Sequence, residues 1–143
     1  MRREPRIVAF CCEHSGKLAA GDESSSAALP DNVGIISVPC SGSVQTIDIL
    51  GAFRAGADGV AVFGCHEGSC KHVTGNKMVK KRVEYVARTL EEIGWNRERV
   101  AFFPVAAVES KVFRDRLAEL SENVRDRIHG YEKCLGKQSE SAP

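Results

Sequence analysis

Two cysteines close together after an apolar run are the first sign of chemistry in this sequence. Cys65 and Cys70 belong to the stretch Gly-Cys-His-Glu-Gly-Ser-Cys, which directly follows the apolar residues 59–63. Cys12 and Cys40 end two earlier apolar runs in the same way. Four thiolates are a ligand set that suits either zinc or an iron–sulfur cluster. These four cysteines therefore predict a metal centre.

The spacing of the cysteines favours an iron–sulfur cluster over zinc. Structural zinc sites usually draw their ligands from two close pairs, whereas here only Cys65 and Cys70 form such a pair. Their spacing is also the first step of the plant-type [2Fe–2S] pattern. Gly64 and Gly68 would let the loop backbone curl around a cluster and direct N–H groups at its sulfurs. We therefore expect a [2Fe–2S] cluster.

The neighbouring cysteines leave a choice of ligand and of chemistry. Because Cys11 and Cys12 are adjacent, a strand would point their side chains to opposite faces of the sheet. We favour Cys12, which stands at the strand end, and keep Cys11 as the alternative. Cys134 is predicted to be a free thiol without a role. Two alternative functions stay open. One is a thiol-based redox enzyme in which Cys65 or Cys12 is the reactive thiol, with His66 adjacent to Cys65. The other is a zinc-stabilised scaffold.

Alternating strand and helix patterns must position these cysteines. Short continuous apolar runs at residues 6–10, 33–38, 60–63 and 100–105 predict four buried strands. A helix after Cys40 is predicted to be capped by Ser41 or Ser43. Apolar residues recur at helical spacing in three segments: Val44, Ile47, Leu50 and Phe53; Val79, Val83, Val86, Leu90 and Ile93; and Phe113, Leu117, Leu120, Val124 and Ile128. The last two helices are expected to end at Gly94 and Gly130.

This alternation predicts an α/β fold, a small doubly wound parallel sheet of about four strands, flavodoxin-like, with strand order 2-1-3-4. In such a sheet the carboxyl ends of all strands lie on one edge, where ligands bind. Cys12, Cys40 and Cys65 each follow one of three neighbouring strands, and Cys70 lies in the same loop as Cys65. The predicted fold therefore gathers four distant thiols at one edge.

Composition and charge limit the classes of function. The chain has 143 residues, of which 43% are hydrophobic and 27% charged, which suits a single domain at residues 1–132 with a polar tail at 133–143. A formal net charge of +1 argues against nucleic-acid binding, and no apolar run approaches the roughly 20 residues that span a bilayer. No signal-peptide pattern is present, so we expect a cytoplasmic protein. There, the six cysteines are expected to bind metal or take part in redox chemistry rather than to form disulfides.

Four stretches of the sequence form a distinctive set. They are Phe-Cys-Cys at residues 10–12, Val-Pro-Cys-Ser-Gly at 38–42, Ala-Phe-Arg-Ala-Gly-Ala-Asp-Gly-Val at 52–60, and the two-cysteine loop at 64–70. Together they resemble the delta subunit of methyl-viologen-reducing hydrogenase, a small iron–sulfur subunit. The similarity covers roughly residues 6–130.

The resemblance implies a non-catalytic electron-transfer subunit with a [2Fe–2S] cluster. It implies that the electron acceptor is a flavoprotein like the A-type subunit of heterodisulfide reductase, and that the donor is a hydrogenase or formate dehydrogenase. The complex would carry out flavin-based electron bifurcation in anaerobes. Many members of the family have a further cysteine three residues after the opening pair, where this chain has Ser15. Four ligand cysteines remain without it.

Several polar residues around the loop have two possible roles. A basic cluster follows the second cysteine: Lys71, Lys77, Lys80, Lys81 and Arg82. This cluster is either a solvated helix face or a docking patch for an acidic partner surface, which would speed association. His66 either hydrogen-bonds the iron–sulfur cluster or a partner protein, or is a polar loop residue without such a role.

Overall fold

Strands and helices alternate along the chain, as the sequence predicts. The computed structural model describes residues 4–21, 31–66 and 75–141, without the side chains of residues 18, 20, 75 and 126–141. Within these ranges the strands are β1 (Ile7–Cys12), β2 (Val33–Val38), β3 (Gly59–Gly64) and β4 (Val100–Pro104). The helices are α1 (Gly16–Ala20), α2 (Thr46–Arg54), α3 (Gly75–Glu92) and α4 (Ser110–Ser141). Two short 3-10 helices, Ser41–Ser43 and Arg97–Arg99, precede α2 and β4.

The four strands form one parallel sheet in the order β2-β1-β3-β4. This confirms the predicted α/β class and strand order. The pairing register places Cys12 opposite Val38 of β2, and Cys11 opposite Phe63 of β3. The carboxyl ends of these three strands therefore lie level at one edge of the sheet.

Two apolar layers cover the two faces of the sheet. Cys11 and Phe63 face a layer formed with α4, whose buried residues are Phe113, Leu117, Leu120 and Val124. Phe10 and Val62 face the opposite layer, where α2 and α3 contribute Ile49, Phe53, Val79, Val83, Val86 and Leu90. Each such buried side chain stabilises the fold by about 1.5–3 kcal/mol relative to an exposed one. Consecutive residues along β1, and likewise along β3, therefore point their side chains into opposite layers.

The start of α2 differs from the prediction. The two serines expected to cap it lie in the 3-10 helix Ser41–Ser43, and Gln45 precedes α2 instead. The backbone N–H of Gln45 donates to Oδ2 of Asp48 over 2.8 Å, which caps the helix. Both Ile47 and Ile49 are therefore in the helix, where their side chains point about 200° apart around the helix axis. Ile47 is therefore 76% exposed and not buried as its spacing predicted.

The ends of α3 and α4 also refine the prediction. Gly94, with φ +87°, follows α3 as expected, but Ile93 lies beyond the helix and is 62% exposed. The prediction that α4 ends at Gly130 is wrong, since the helix continues to Ser141. An interior glycine costs about 1 kcal/mol relative to alanine, and no proline follows to stop the helix before residue 143. The division into a domain and a polar tail stays a prediction. Although α4 is long, none of the described helices combines the length and apolarity that crossing a membrane requires.

Candidate metal centre

Three of the four predicted ligand cysteines lie at the carboxyl edge of the sheet. Cys12 is the last residue of β1, and Cys40 follows its register partner Val38 by two residues. Cys65 directly follows the last residue of β3. All three are buried, with 2%, 7% and 7% of their surface exposed, respectively. Adjacent strands are about 4.8 Å apart, so the topology brings these three cysteines to neighbouring positions.

Cys70 lies outside the described residues, together with the rest of residues 67–74. Among the residues that the structure describes, no three His, Cys, Asp or Glu side chains are grouped closely enough to hold a metal ion. The predicted ligand set of Cys12, Cys40, Cys65 and Cys70 therefore stays a prediction. The chemistry of its three described members, all thiols at one edge, fits an iron–sulfur cluster.

The two adjacent cysteines point in different directions. Cys11 is fully buried in the layer formed with α4, and burial raises the pKa of its thiol to about 12. A side chain at Gly16 would come within 2.7 Å of the Cβ of Phe63 and 3.3 Å of the Cβ of Cys11, so α1 packs directly over them. The thiol of Cys12 instead lies 4.0 Å from the carbonyl oxygen of Pro39, the residue before Cys40. Of the two neighbours, Cys12 is the one directed toward the second cysteine segment.

Gly64 allows the segments of Cys40 and Cys65 to pack together. A Cβ atom at this position would lie 2.6 Å from Oγ and 2.9 Å from Cβ of Ser41, and 3.0 Å from Cε2 of Phe102. The two distances to Ser41 are shorter than real Cβ contacts, and the distance to Phe102 is shorter than most of them. The missing side chain therefore makes room for Ser41 against the end of β3, a contact that sequence reasoning missed.

Hydrogen bonds hold the segment after Cys40 in place. The hydroxyl of Ser43 donates to the carbonyl of Cys40 over 2.6 Å. Nη1 of Arg82 donates to the carbonyls of Gly42 and Val44 over 2.6 and 2.9 Å. The N–H of Gly42 points at the sulfur of Cys40 over 3.4 Å. Such a bond stabilises a thiolate, because the donor dipole faces the negative charge.

The structure separates the members of the basic cluster. Arg82 is half-buried, and its guanidinium binds two backbone carbonyls, so it has a structural role within the chain. Nζ of Lys80 lies 5.5 Å from the ring centroid of Phe102, and Lys77 and Lys81 are exposed. Lys71 lies outside the described residues. For Lys77, Lys80 and Lys81 both interpretations stay open.

Asn76 supports the start of the motif from α3. Its Nδ2 donates to the carbonyl of Cys65 over 3.1 Å, and the residue is 1% exposed. The sequence indicated Asn76 only as part of a helix start. The available signal was a polar residue six positions after Cys70, at the start of a predicted helix.

His66 forms a hydrogen bond that the sequence could not reveal. Its Nε2 and Oε1 of Glu109 are 2.6 Å apart, and Oε1 also accepts the N–H of Ala106 over 2.8 Å. These hydrogen bonds, the one from His66 above all, lower the pKa of Glu109 below its ordinary value. The pair joins the loop after β3 to the loop after β4, although 43 residues separate the two partners.

We expect Glu109→Ala to loosen both loops. The variant removes the acceptor of the Ala106 N–H and of His66, so amide hydrogen exchange at Ala106 and His66 should become faster relative to intrinsic rates. Glu122→Ala, an exposed change on α4, is the control and should leave these amides unchanged. Because the pKa of Glu109 is lowered on folding, the protection should be present above the ordinary carboxyl pKa and lost as the pH falls through the lowered value. Equal protection in Glu109→Ala and the parent protein would contradict a role for this pair.

Comparison with known proteins agrees with the resemblance seen in the sequence. The family described as methyl-viologen-reducing hydrogenase, delta subunit, matches residues 7–126. An F420-non-reducing hydrogenase vhc iron-sulfur subunit from Methanococcus voltae is 35% identical over 95% of this chain and 92% of its own length. A vhu iron-sulfur subunit of the same kind of hydrogenase from Methanocaldococcus jannaschii is 34% identical over 85% of this chain and 91% of its own length.

A second kind of relative is a much larger protein. The A-type subunit of the ferredoxin/F420H2-dependent CoB-CoM heterodisulfide reductase of Methanosarcina acetivorans is 31% identical over 85% of this chain, but the match covers 16% of that protein. A domain similar to this chain is thus part of a longer polypeptide there. Since the family match covers most of the sequence and the fold is the one expected, the chain belongs to the methyl-viologen-reducing hydrogenase delta subunit family.

Proposed function

We propose that this chain is an electron-transfer subunit that carries a [2Fe–2S] cluster on Cys12, Cys40, Cys65 and Cys70. It would relay electrons from a hydrogenase or formate dehydrogenase to a flavoprotein like the A-type subunit of heterodisulfide reductase, called the acceptor flavoprotein below. The observation that carries this proposal is the position of three buried thiols at the ends of three adjacent strands. Cys70 would complete the set from the loop that Cys65 begins.

The surroundings of the thiols suit a cluster that exchanges electrons. Burial of Cys12, Cys40 and Cys65 keeps water away from the ligand sulfurs. The N–H of Gly42 provides a dipole that stabilises the Cys40 thiolate. A bound [2Fe–2S] cluster would supply one-electron redox chemistry at this edge. The chain itself holds the ligand segments in place and offers an edge that a partner can approach.

The names of the relatives support the partners in this proposal. Several relatives are iron-sulfur subunits of F420-non-reducing hydrogenases, which supports a hydrogenase as the donor. Others are A-type subunits of heterodisulfide reductases that contain a similar domain, which supports the acceptor flavoprotein. The formate dehydrogenase alternative rests on the family resemblance alone.

Metal analysis of anaerobically purified protein tests the proposal. We expect about two irons and two acid-labile sulfides per chain, because four thiolates can hold one [2Fe–2S] centre. The visible absorption should bleach on reduction with dithionite. A colourless protein with one tightly bound zinc would instead identify a zinc-stabilised scaffold.

A protein without any metal would favour the thiol-based redox enzyme. That function needs a base to activate a thiolate, and His66 is adjacent to Cys65. Nε2 of His66 is hydrogen-bonded to Glu109, which would orient the ring and leave Nδ1 as the candidate base. The electron-transfer role is favoured instead because the sequence has no C-x-x-C motif and its relatives are iron-sulfur subunits of hydrogenases.

A further inference from the structure

Three of the exposed apolar side chains lie on segments that begin at the edge that holds the buried thiols. Ile47 is 76% exposed, Met78 48% and Val108 91%. Ile47 and Met78 lie in the first turns of α2 and α3, and Val108 lies in the loop between β4 and α4. All three segments leave the carboxyl edge of the parallel sheet. We call these three residues the apolar rim.

The apolar rim is not explained by packing within the described part of the chain. The same helices bury Ile49, Phe53, Val79 and Val83 against the sheet, so their inner faces are already filled. Water-exposed isoleucine, methionine and valine give no stability to the domain itself. Large apolar side chains grouped around one site on a surface are typical of protein interfaces.

We propose that the apolar rim is the docking surface for the acceptor flavoprotein, with Ile47, Met78 and Val108 buried in the interface. This inference rests on the proposed function, which requires an electron acceptor at the thiol edge. Burial of the rim excludes water from that edge and brings the acceptor close to the ligand thiols. The half-exposed pair of His66 and Glu109, next to Val108, belongs to the polar border of the same surface.

The two kinds of relatives explain why a separate polypeptide needs such a surface. In the Methanosarcina acetivorans protein a similar domain is covalently part of a longer chain, so linkage keeps the two units at high effective concentration. In the Methanococcus voltae relative the similarity spans 92% of the polypeptide, so the domain is nearly the whole protein. Association of such a separate domain must come from surface contacts, and buried apolar area is the main source of that free energy.

The test compares binding of matched variants to the purified acceptor flavoprotein from the same organism. The triple variant Ile47→Ser, Met78→Gln and Val108→Ser removes the rim without adding charge. Ile93→Ser is the control, because Ile93 is 62% exposed at the opposite end of α3. Binding of the holo-protein is measured anaerobically by calorimetry at several temperatures and salt concentrations. Unchanged visible and circular dichroism spectra establish that each variant is folded and carries its cluster.

We expect the triple variant to bind at least about tenfold more weakly, since truncating a few central interface residues removes most of the affinity. Its heat-capacity change on binding should also be smaller than that of the parent protein, because less apolar surface is buried. Ile93→Ser should bind like the parent, and the parent affinity should depend only weakly on salt.

Each other outcome has a separate meaning. If the parent protein binds and the triple variant binds equally well, the docking surface is wrong while the proposed function stands. If the parent protein does not bind the acceptor flavoprotein at all, the proposed acceptor is wrong. If the rim substitutions abolish self-association in sedimentation experiments and leave flavoprotein binding unchanged, a second copy of this chain covers the rim and the inference is overturned.

Discussion

Replacing Cys12 with alanine should remove the cluster, whereas replacing Cys11 should not. Cys12 ends β1 with its thiol 4.0 Å from the carbonyl of Pro39, on the side of Cys40. With one of four thiolates missing, a [2Fe–2S] centre loses a ligand and is expected to be absent or unstable. Iron content, sulfide content and visible absorption of the anaerobically purified variants measure this directly.

Cys11→Ala should keep the cluster and change stability instead. Its thiol is fully buried among apolar side chains, and its pKa of about 12 keeps it protonated at neutral pH. A cluster ligand must also lie at the carboxyl edge beside Cys40 and Cys65, whereas the Cys11 side chain is packed in the layer formed with α4. Loss of a group the size of a methylene from the core should lower the free energy of unfolding by about 1 kcal/mol.

The remaining cysteines complete this comparison. Cys40→Ala, Cys65→Ala and Cys70→Ala should each abolish the cluster, and Cys134→Ala should leave iron content unchanged. A variant set in which Cys11→Ala loses all iron while Cys12→Ala keeps it would show that the assignment of the two neighbours is reversed. Loss of iron in Cys134→Ala would show that the ligand set extends beyond the sheet edge.

The sequence predicted the architecture because the architecture depends on simple patterns. Short continuous apolar runs that alternate with helical patterns are typical of strands buried on both faces, and right-handed crossovers leave few strand orders. Strand order and register then follow, and with them the meeting of Cys12, Cys40 and Cys65 at one edge. The burial of Cys11 on the opposite side follows from the alternation of side chains along β1.

The details of the site could not be predicted because they depend on contacts between distant loops. Glu109 lies 43 residues from His66, and Arg82 lies 40 residues from Gly42. Basic residues on a helix gave no indication that one of them would bind backbone carbonyls. Likewise, the exposure of Ile47 depends on where α2 begins, which the Gln45 N–H and the Asp48 carboxylate decide.

Gly64→Ala should destabilise the protein and disturb two cysteine segments at once. The new methyl group would lie 2.6 Å from Oγ of Ser41 and 3.0 Å from Cε2 of Phe102. Ser41 is 1% exposed, and Arg82 fixes the residues that follow it, so the segment cannot move away cheaply. Such overpacking typically costs about 1–3 kcal/mol. Thermal unfolding of the metal-free and metal-bound protein should show the loss.

A glycine in open space provides the matched control. At Gly51, inside α2, an added Cβ would meet nothing within 4 Å. Gly51→Ala should therefore raise the free energy of unfolding by about 0.5–1 kcal/mol, because alanine favours the helix more than glycine does. The opposite signs of the two glycine-to-alanine changes separate close packing at the site from a general effect of the substitution.

The cause of the Gly64 effect can be tested by making room for the new methyl group. Ser41→Gly removes both the Oγ and the Cβ that the methyl group would meet, so the double variant should recover part of the stability lost in Gly64→Ala. In a double-mutant cycle the two changes should therefore be non-additive, with a favourable coupling. Iron content should be lowest in Gly64→Ala and partly restored in the double variant. The reason is that Ser41 directly follows Cys40 and Gly64 directly precedes Cys65. If Gly64→Ala is as stable as the parent and keeps full iron, the contact between Ser41 and the end of β3 does not position these two cysteines.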